Sequence, residues 1–466
     1  MNKVADIVTK LQPHQQKALE RALKKNLILA HSTGSGKTLT SIAIADALGV
    51  PATVLTPASL VENYKKEIAK HKKGGPRIDV LSLPTAVSRN YKIPKGNTLI
   101  IDEAHSLRNQ GTQRQQYIKD QLNNVGRVFA LTGTPAYNDI GDWAPLVNLV
   151  AKENVVPNDK ALFNDRYIGQ KRVEPSFIDK LIYKAKPGVV NYLKDPERLR
   201  KDIAPHVDIF DTDIEKPERI DETIYTPMSD KQEDLYRYIA GKMPSSILFK
   251  LRHNLPPSKQ EAANLNSFLS GVRQISNSTE GFDVNGEPGI KLKTAADNLV
   301  KYLQKNKNAR ALVYSNYLES GIDSYARILD KEGIKYNKFN GSMTPKQKKQ
   351  VVDDYNSGRI PVILGSGSAS EGLDLKGTRM IQLLEPHFND AKLDQVIGRG
   401  IRYKSHEHLP KEDRNVTVQR YLSKLKEHRN WLFQKKQDTS VDEYLTSRAA
   451  EKTKLINDIK QALLSK

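Results

Sequence analysis

The run Ala30-His31-Ser32-Thr33-Gly34-Ser35-Gly36-Lys37-Thr38 places two glycines, a lysine and a threonine at a spacing that suits an anion. Gly34 and Gly36 let successive backbone N–H groups turn inward on a phosphate at the start of a helix, where the helix dipole favours negative charge. Ser35 lies inside that turn, Lys37 would reach the β- and γ-phosphates of a nucleotide, and Thr38 offers magnesium a hydroxyl. The usual pattern has a glycine where this chain has His31. A second chemical pair, Asp102-Glu103, follows the apolar run 98–101. Adjacent carboxylates at a strand end are costly without a cation, which magnesium held with substrate phosphates supplies. Asp102 would hold that ion through water, and Glu103 would orient or deprotonate the attacking water. Arg399 and Arg402 lie three residues apart. On a helix they would share a face, as suits charge developing on a transferred γ-phosphoryl group. Upstream, the amide of Gln15 could pair with both edges of an adenine. Thr132-Gly133-Thr134 are small polar residues able to sense the state of the acidic pair.

These groups need elements to hold them. Residues 27–30 read as a strand and 39–48 as an apolar helix, so the glycine run is a strand–loop–helix cradle. Pro13 can open a helix that carries Gln15. Residues 52–55 read as a strand ending in Thr56-Pro57, with a helix through 63–68, and 98–101 and 127–131 are further strands. Such alternation implies a parallel sheet covered by helices, with ligands at the carboxyl ends of the strands. From 141 to about 293 the alternation is lost. Within that stretch, residues 220–225 alternate like a strand that returns to the first sheet, and 277–288, rich in Gly, Asn and Ser, reads as a flexible joint. A second alternating set follows: strands at 311–315, 335–339, 361–364 and 380–384, helices at 321–332 and 344–355, and a helix carrying Gln395 to Arg402. It has no phosphate cradle of its own, which fits a role of lending arginines to the first. The apolar residues Val441, Tyr444, Leu445, Leu455, Ile456, Ile459 and Leu463 recur at helical spacing and read as packing surface.

The chain has 466 residues, 38% of them hydrophobic, with no apolar run long enough to span a membrane. It contains no cysteine, which excludes disulfides and thiolate metal sites and fits a reducing cytoplasm. Its first residues lack an apolar secretory core. Lysine and arginine exceed the acids by 74 to 54, giving +20, the footprint of a polyanion partner. Lys424, Lys426, Arg429, Lys435 and Lys436, with Trp431 and Phe433 between them, form a basic cluster that suits either nucleic acid or solvent.

In order, these stretches resemble the superfamily 2 helicases and translocases over residues 11–404. The Swi/Snf-type branch is favoured by Asp102-Glu103-Ala104-His105-Ser106-Leu107-Arg108-Asn109, by Leu131-Thr132-Gly133-Thr134-Pro135-Ala136-Tyr137-Asn138 and by Val272-Arg273-Gln274-Ile275-Ser276-Asn277. Leu384-Glu385-Pro386-His387-Phe388-Asn389, then Gln395 to Arg402 with Tyr403-Lys404-Ser405-His406, and the tail Ser440-Val441-Asp442-Glu443-Tyr444-Leu445 look like the viral members, from phages and large DNA viruses. Where that branch often carries Arg-Arg-x-Lys, this chain has His206-Val207-Asp208-Ile209-Phe210.

The resemblance implies an α/β fold of two RecA-like parallel-sheet lobes in tandem, with a helical insertion or linker and a C-terminal helix. Its expected bounds are 1–228 for the first lobe with a helical extension at about 142–205, 229–288 for a helical protrusion and linker, 289–425 for the second lobe and 426–466 for the C-terminal extension. It implies that Gln15 contacts adenine, that Gly34, Ser35, Gly36, Lys37, Thr38, Gly372 and Asp374 bind ATP, and that Thr38 and Asp102 hold Mg2+. Glu103 would act on the water, and Arg399 and Arg402 would complete the site. His105, Thr132, Gly133, Thr134 and Gln395 would couple hydrolysis to movement. Thr56, Pro57, Ser315, Asn316, Ser366 and Gly367 lie where the family grips the sugar-phosphate backbone without reading bases.

The expected activity is a monomeric ATP-driven motor that steps along DNA, whether single-stranded, duplex or branched, and remodels forked or branched DNA in replication, recombination or repair. The alternative is a DNA-dependent ATPase working with RNA polymerase and translocating on duplex without unwinding it. The expected location is cytoplasmic, in the host cytoplasm for a viral or phage protein, with no membrane partner. A non-enzymatic scaffold would not need the intact Lys37, Asp102, Glu103 and Arg402. A nuclease would need metal-ligand spacings that the ten histidines do not show.

Overall fold

The computed structural model describes residues 6–32, 34–109, 111–133, 140–211, 216–370, 373–388, 390–402, 404–429 and 435–465. The chain forms two compact units: residues 1–169 with 192–214 and 455–466, and residues 170–191 with 215–454.

The first unit begins with helix α1 (Pro13–Lys24), which opens at a proline whose missing N–H costs nothing at that position. Strand β1 (Leu27–His31), α2 (Lys37–Leu48), β2 (Ala52–Thr56), α3 (Val61–His71), β3 (Ile78–Ser82), α4 (Leu83–Ser88), β4 (Thr98–Ile101), α5 (Gln113–Gln121), β5 (Arg127–Thr132) and α6 (Trp143–Ala151) continue the alternation. The inserted stretch then holds α7 (Lys160–Tyr167), a two-stranded sheet of β6 (Ile168–Val173) and β7 (Gly188–Leu193) with α8 (Phe177–Tyr183) between them, whose residues 170–191 belong to the second unit, and α9 (Pro196–Ile203). It ends in β8 (Val207–Phe210). The main sheet runs β3-β2-β4-β5-β1-β8, every pair parallel. β1, β2 and β4 are buried along their whole length, which is why they read as continuous apolar runs. One face packs on α1 and α2 through Leu19, Ile42 and Ile44, and the other on Trp143, Leu146 and Leu199. Leu455, Ile459 and Leu463 join that second core, so this part of the C-terminal apolar stripe is packing surface.

The second unit comprises β9 (Glu218–Pro227), α10 (Asp230–Ala240), α11 (Ser245–Arg252), α12 (Lys259–Asn277), α13 (Ile290–Lys305), β10 (Arg310–Tyr314), α14 (Ser324–Lys331), β11 (Tyr336–Phe339), α15 (Pro345–Asn356), β12 (Val362–Gly365), β13 (Thr378–Leu383), α16 (Asp390–Gly400) and β14 (Asn415–Lys424). Short strands β15 (His428–Arg429) and β16 (Lys435–Lys436) follow, and then α17 (Val441–Leu464), whose residues from 455 onward belong to the first unit. The sheet runs β11-β12-β10-β13-β14-β9 and is again parallel throughout.

Two expectations are corrected here. The strand expected at 220–225 does not return to the first sheet: β9 pairs with β14 from Glu218↔Asn415 to Pro227↔Lys424. Alternation identifies a half-exposed strand but not its neighbour, and the edge beside β1 is filled by β8. The flexible joint expected at 277–288 is a closed loop, with Thr279 N–H donating to Glu287 O at 3.1 Å and Gly289 N–H to Asn277 O at 2.8 Å. The Glu280 carboxylate also accepts from Arg327 at 2.6 Å and from Ser324 at 2.5 Å. Its Gly, Asn and Ser residues build turns closed by these hydrogen bonds, with Asn277 Oδ1 left without a partner among the described residues. Among the described residues no helix is long and apolar enough to cross a membrane.

Candidate nucleotide site

The cradle begins where β1 ends. Gly34 and Gly36 have φ of +85° and +79°, the left-handed region that glycine enters without steric cost. Gly36 caps α2, and a Cβ there would stand 2.5 Å from Gln15 Nε2. Gly36→Ala should therefore lower stability by about 1–2 kcal/mol and weaken nucleotide binding, measurable as a fall in Tm and a rise in Kd. Lys37 Nζ donates to the carbonyls of His31 at 2.8 Å and Ser32 at 3.2 Å. Ser35 Oγ is buried and has no partner among the described residues, an orphaned polar atom that suits an anion in the loop. Thr38, on the first turn of α2, is half-buried.

Helix α1 braces the loop. His14 Nε2 lies 2.9 Å from Ser35 O, and Gln15 Nε2 donates to Gly36 O at 3.3 Å while Gln15 Oε1 accepts from Gln12 N–H at 2.8 Å. Gln15, expected at adenine, is thus 2% exposed and engaged at both ends of its amide.

The acidic pair follows β4, which only β5 separates from β1. Asp102 accepts from Thr56 Oγ1 at 3.0 Å and from Glu103 N–H at 3.0 Å. Burial, reinforced by the Glu103 charge, raises the Asp102 pKa to about 6, although Thr56, Lys37 and the Glu103 amide pull the other way. Glu103 is not a glycine yet has φ +50°, a strained backbone that turns the chain so that its carboxylate stands 3.2 Å from His105 Nδ1. A divalent cation fits this donor set: a buried carboxylate destabilised by its own neighbour, and hydroxyl and carboxylate oxygens of the hard type that magnesium prefers. Among the described residues no cluster of three or more His, Asp or Glu could hold a metal alone, so nucleotide phosphates would complete the coordination. When bound, the ion neutralises phosphate charge; Thr38 and Asp102 would hold it, and Glu103 would accept the proton of the water.

This geometry sets a pH dependence. With its pKa raised, Asp102 takes up a proton in the folded state as pH falls through about 6, whereas the unfolded chain does so only near about 3.9. From this group the free protein gains stability between those values on acidification, and magnesium, which needs the carboxylate, is displaced. Half-maximal hydrolysis should require more Mg2+ at about pH 5.5 than at about pH 7.5. An equal requirement at both would contradict the assignment of Asp102.

The other expected residues are placed as follows. Thr132 is fully buried at the end of β5. Gly133 lines a cavity of about 40 Å³ with Ser32, Ile209 and Phe210. Thr134 and Gly372 lie outside the described residues. The Thr56 hydroxyl is used on Asp102, and Pro57 starts the turn Ala58–Leu60. In the second unit, Ser315 Oγ donates to Glu385, which also accepts from Asn316 N–H, from Asn316 Nδ2 at 3.2 Å and from Asn277 Nδ2 at 2.9 Å. Ser366 is buried, its N–H donating to Phe339 O, and Gly367 is exposed. Gln395 and Arg399 are half-buried on α16.

Arg402 is not on that helix, contrary to the expectation that it shares a helical face with Arg399. α16 stops at Gly400, and Arg402 Nη1 binds Asp374 Oδ1 at 2.8 Å. Glycines at 398 and 400 weaken the helix there. Sequence reasoning also missed two hubs, Glu385 and the Arg21–Asp208–His31 contact, because each is made by residues far apart in the chain.

A phosphate loop at one strand end, an acidic pair two strands away and a second parallel-sheet unit define a nucleotide-hydrolysing protein of the helicase type. Residues 9–74 match the res subunit of type III restriction enzymes, 82–280 the SNF2-related domain and 294–404 the helicase conserved C-terminal domain. A protein of Acanthamoeba polyphaga mimivirus, provisionally named an ATP-dependent RNA helicase, is 32% identical over 472 residues, covering 97% of this chain and 96% of the relative. A termination factor NPH-I homolog of African swine fever virus (isolate Tick/Malawi/Lil 20-1/1983) is 23% identical over 541 residues, covering 92% and 74%. The helicase domain of Pyrococcus furiosus Hef shares the fold, with a TM-score of 0.50, 13% identity and coverage of 89% of this chain and 95% of that one. The chain belongs to the superfamily 2 helicases, in the Swi/Snf-type branch and with viral relatives. It is therefore a helicase/ATPase-family enzyme that binds nucleic acid, and the family implies ATP and, typically, Mg2+.

Proposed function

We propose that the protein is a DNA-stimulated ATPase that couples hydrolysis of MgATP to movement along DNA. The observation that carries the reading is Asp102, Glu103 and His105 in mutual contact or sequence at the end of β4, in the same sheet as the phosphate loop. That arrangement suits activation of a water against a γ-phosphate, and its link through His105 suits control of hydrolysis by the rest of the motor. The net charge of +20 supports a polyanionic track. Arg399 and Arg402 would stabilise the transferred phosphoryl group, and Gln395 would couple it to movement.

Remodelling of forked or branched DNA is the role that motor would serve. A second reading, a transcription-associated ATPase translocating on duplex without unwinding, is favoured by the similarity to a viral termination factor homolog. A third-strand displacement assay on duplex, run beside fork unwinding and unwinding of an RNA duplex, separates these. Third-strand displacement with intact duplex supports translocation of the second kind, and fork unwinding supports remodelling. Activity on RNA alone would overturn the DNA assignment.

A further inference from the structure

Two departures noted in the sequence, one from the usual phosphate-loop spacing and one from a stretch that the Swi/Snf-type branch often carries, meet in the structure. His31 stands where the phosphate loop usually has its first glycine, and Asp208 lies in the stretch that replaces Arg-Arg-x-Lys. They are 177 residues apart, yet His31 Nε2 is 2.7 Å from Asp208 Oδ2. The reason is topological: β8 pairs in parallel with β1, and the register Leu29↔Asp208 and His31↔Phe210 puts His31, Asp208 and Phe210 on one face of the sheet. Helix α1 covers that face. From it Arg21 Nη1 reaches Asp208 Oδ1 at 2.6 Å, and the His14 ring stacks on Phe210 with centroids 3.8 Å apart and planes within 2°.

His31 is completely buried and its Nδ1 has no hydrogen-bond partner among the described residues, so Asp208 supplies the hydrogen bond found for an imidazole that otherwise packs edge-on against Phe210 and His14. Asp208 is equipped for that role. Burial pushes its carboxyl up, but hydrogen bonds from His31 and Arg21 outweigh burial and hold it below the usual range. The consequence reaches the loop through the backbone. The His31 carbonyl receives Lys37, Ser32 N–H donates to Phe210 O at 2.9 Å, and His14, stacked on Phe210, is bonded to Ser35 O. These contacts fix the backbone on both sides of the two glycines, and so the shape of the loop that an anion would meet.

We propose that His31 and Asp208 are a positioning pair that sets the shape of the phosphate loop and hence its affinity for nucleotide. The inference rests on the nucleotide-site reading above. Neither residue touches reacting atoms, so the effect falls on binding and not on the chemical step.

The test is equilibrium binding of a fluorescent MgADP analogue, with Tm and the KM and kcat for MgATP, for wild type, His31→Gly, Asp208→Asn, the double variant and His31→Gln. Each of the first two should weaken binding about tenfold and raise KM in parallel, with kcat within about twofold. The double variant should be no weaker than the worse single one, because both remove the same contact. His31→Gln, whose amide can donate to Asp208, should recover most of the affinity. Lowered Tm with unchanged Kd would show a merely structural pair and overturn the inference, as would unchanged binding in both single variants. A wild-type protein that fails to bind MgADP would instead overturn the nucleotide-site reading, and this inference with it.

Discussion

Glu103→Gln should bind MgATP as wild type does and hydrolyse it about a thousandfold more slowly. The carboxylate is held toward His105 by a backbone in the left-handed region, which costs about 1–2 kcal/mol and persists only because β4 and the following turn fix it. Glutamine preserves the shape and removes the proton acceptor. Binding followed by nucleotide fluorescence and hydrolysis followed by phosphate release separate the two properties. A variant that loses affinity as well would show that Glu103 helps to hold the nucleotide, and one that keeps its rate would place the base elsewhere.

Asp442→Ala should cost about 3–5 kcal/mol of stability, a large part of what holds a domain together. Asp442 Oδ2 binds Lys291 Nζ at 2.7 Å, and both side chains are fully buried. It also accepts from Ser423 N–H at 2.8 Å, so it ties the start of α17 to α13 and to β14. Lys291 sits on the first turn of α13, where the helix dipole already disfavours a cation, and without Asp442 its charge is buried and unpaired. Chemical denaturation should show the loss. Lys291→Met combined with Asp442→Leu should recover most of it, since apolar residues of similar size can replace a buried pair. Equal destabilisation by the single and double variants would mean that packing, and not the unpaired charge, sets the cost.

Much of this was legible in the chain. The strands at 27–30, 52–55, 98–101 and 127–131 were readable because parallel strands buried on both faces must be apolar throughout, and the loops after them because glycine and paired carboxylates have few other uses. What was not legible were partners distant in sequence. The alternation of residues 220–225 gave a strand without naming its sheet. The three-residue spacing of Arg399 and Arg402 assumed a helix that two glycines end early. The Thr56 and Ser315 hydroxyls are engaged by Asp102 and Glu385, which residue type alone does not foretell. His31 and Asp208 each looked like a separate exception until the pairing of β1 with β8 joined them.

If the proposed function holds, nucleic acid, and DNA in particular, should drive ATP hydrolysis at the site proposed for Lys37, Asp102 and Glu103. The decisive measurement is the steady-state ATPase rate without nucleic acid and with single-stranded, blunt duplex, forked and four-way DNA and single-stranded RNA, with Glu103→Gln as the control. The expected result is a low basal rate, raised at least about tenfold by one or more of the DNAs and abolished in the control. A rate indifferent to every nucleic acid, or one that survives in Glu103→Gln, would contradict that coupling.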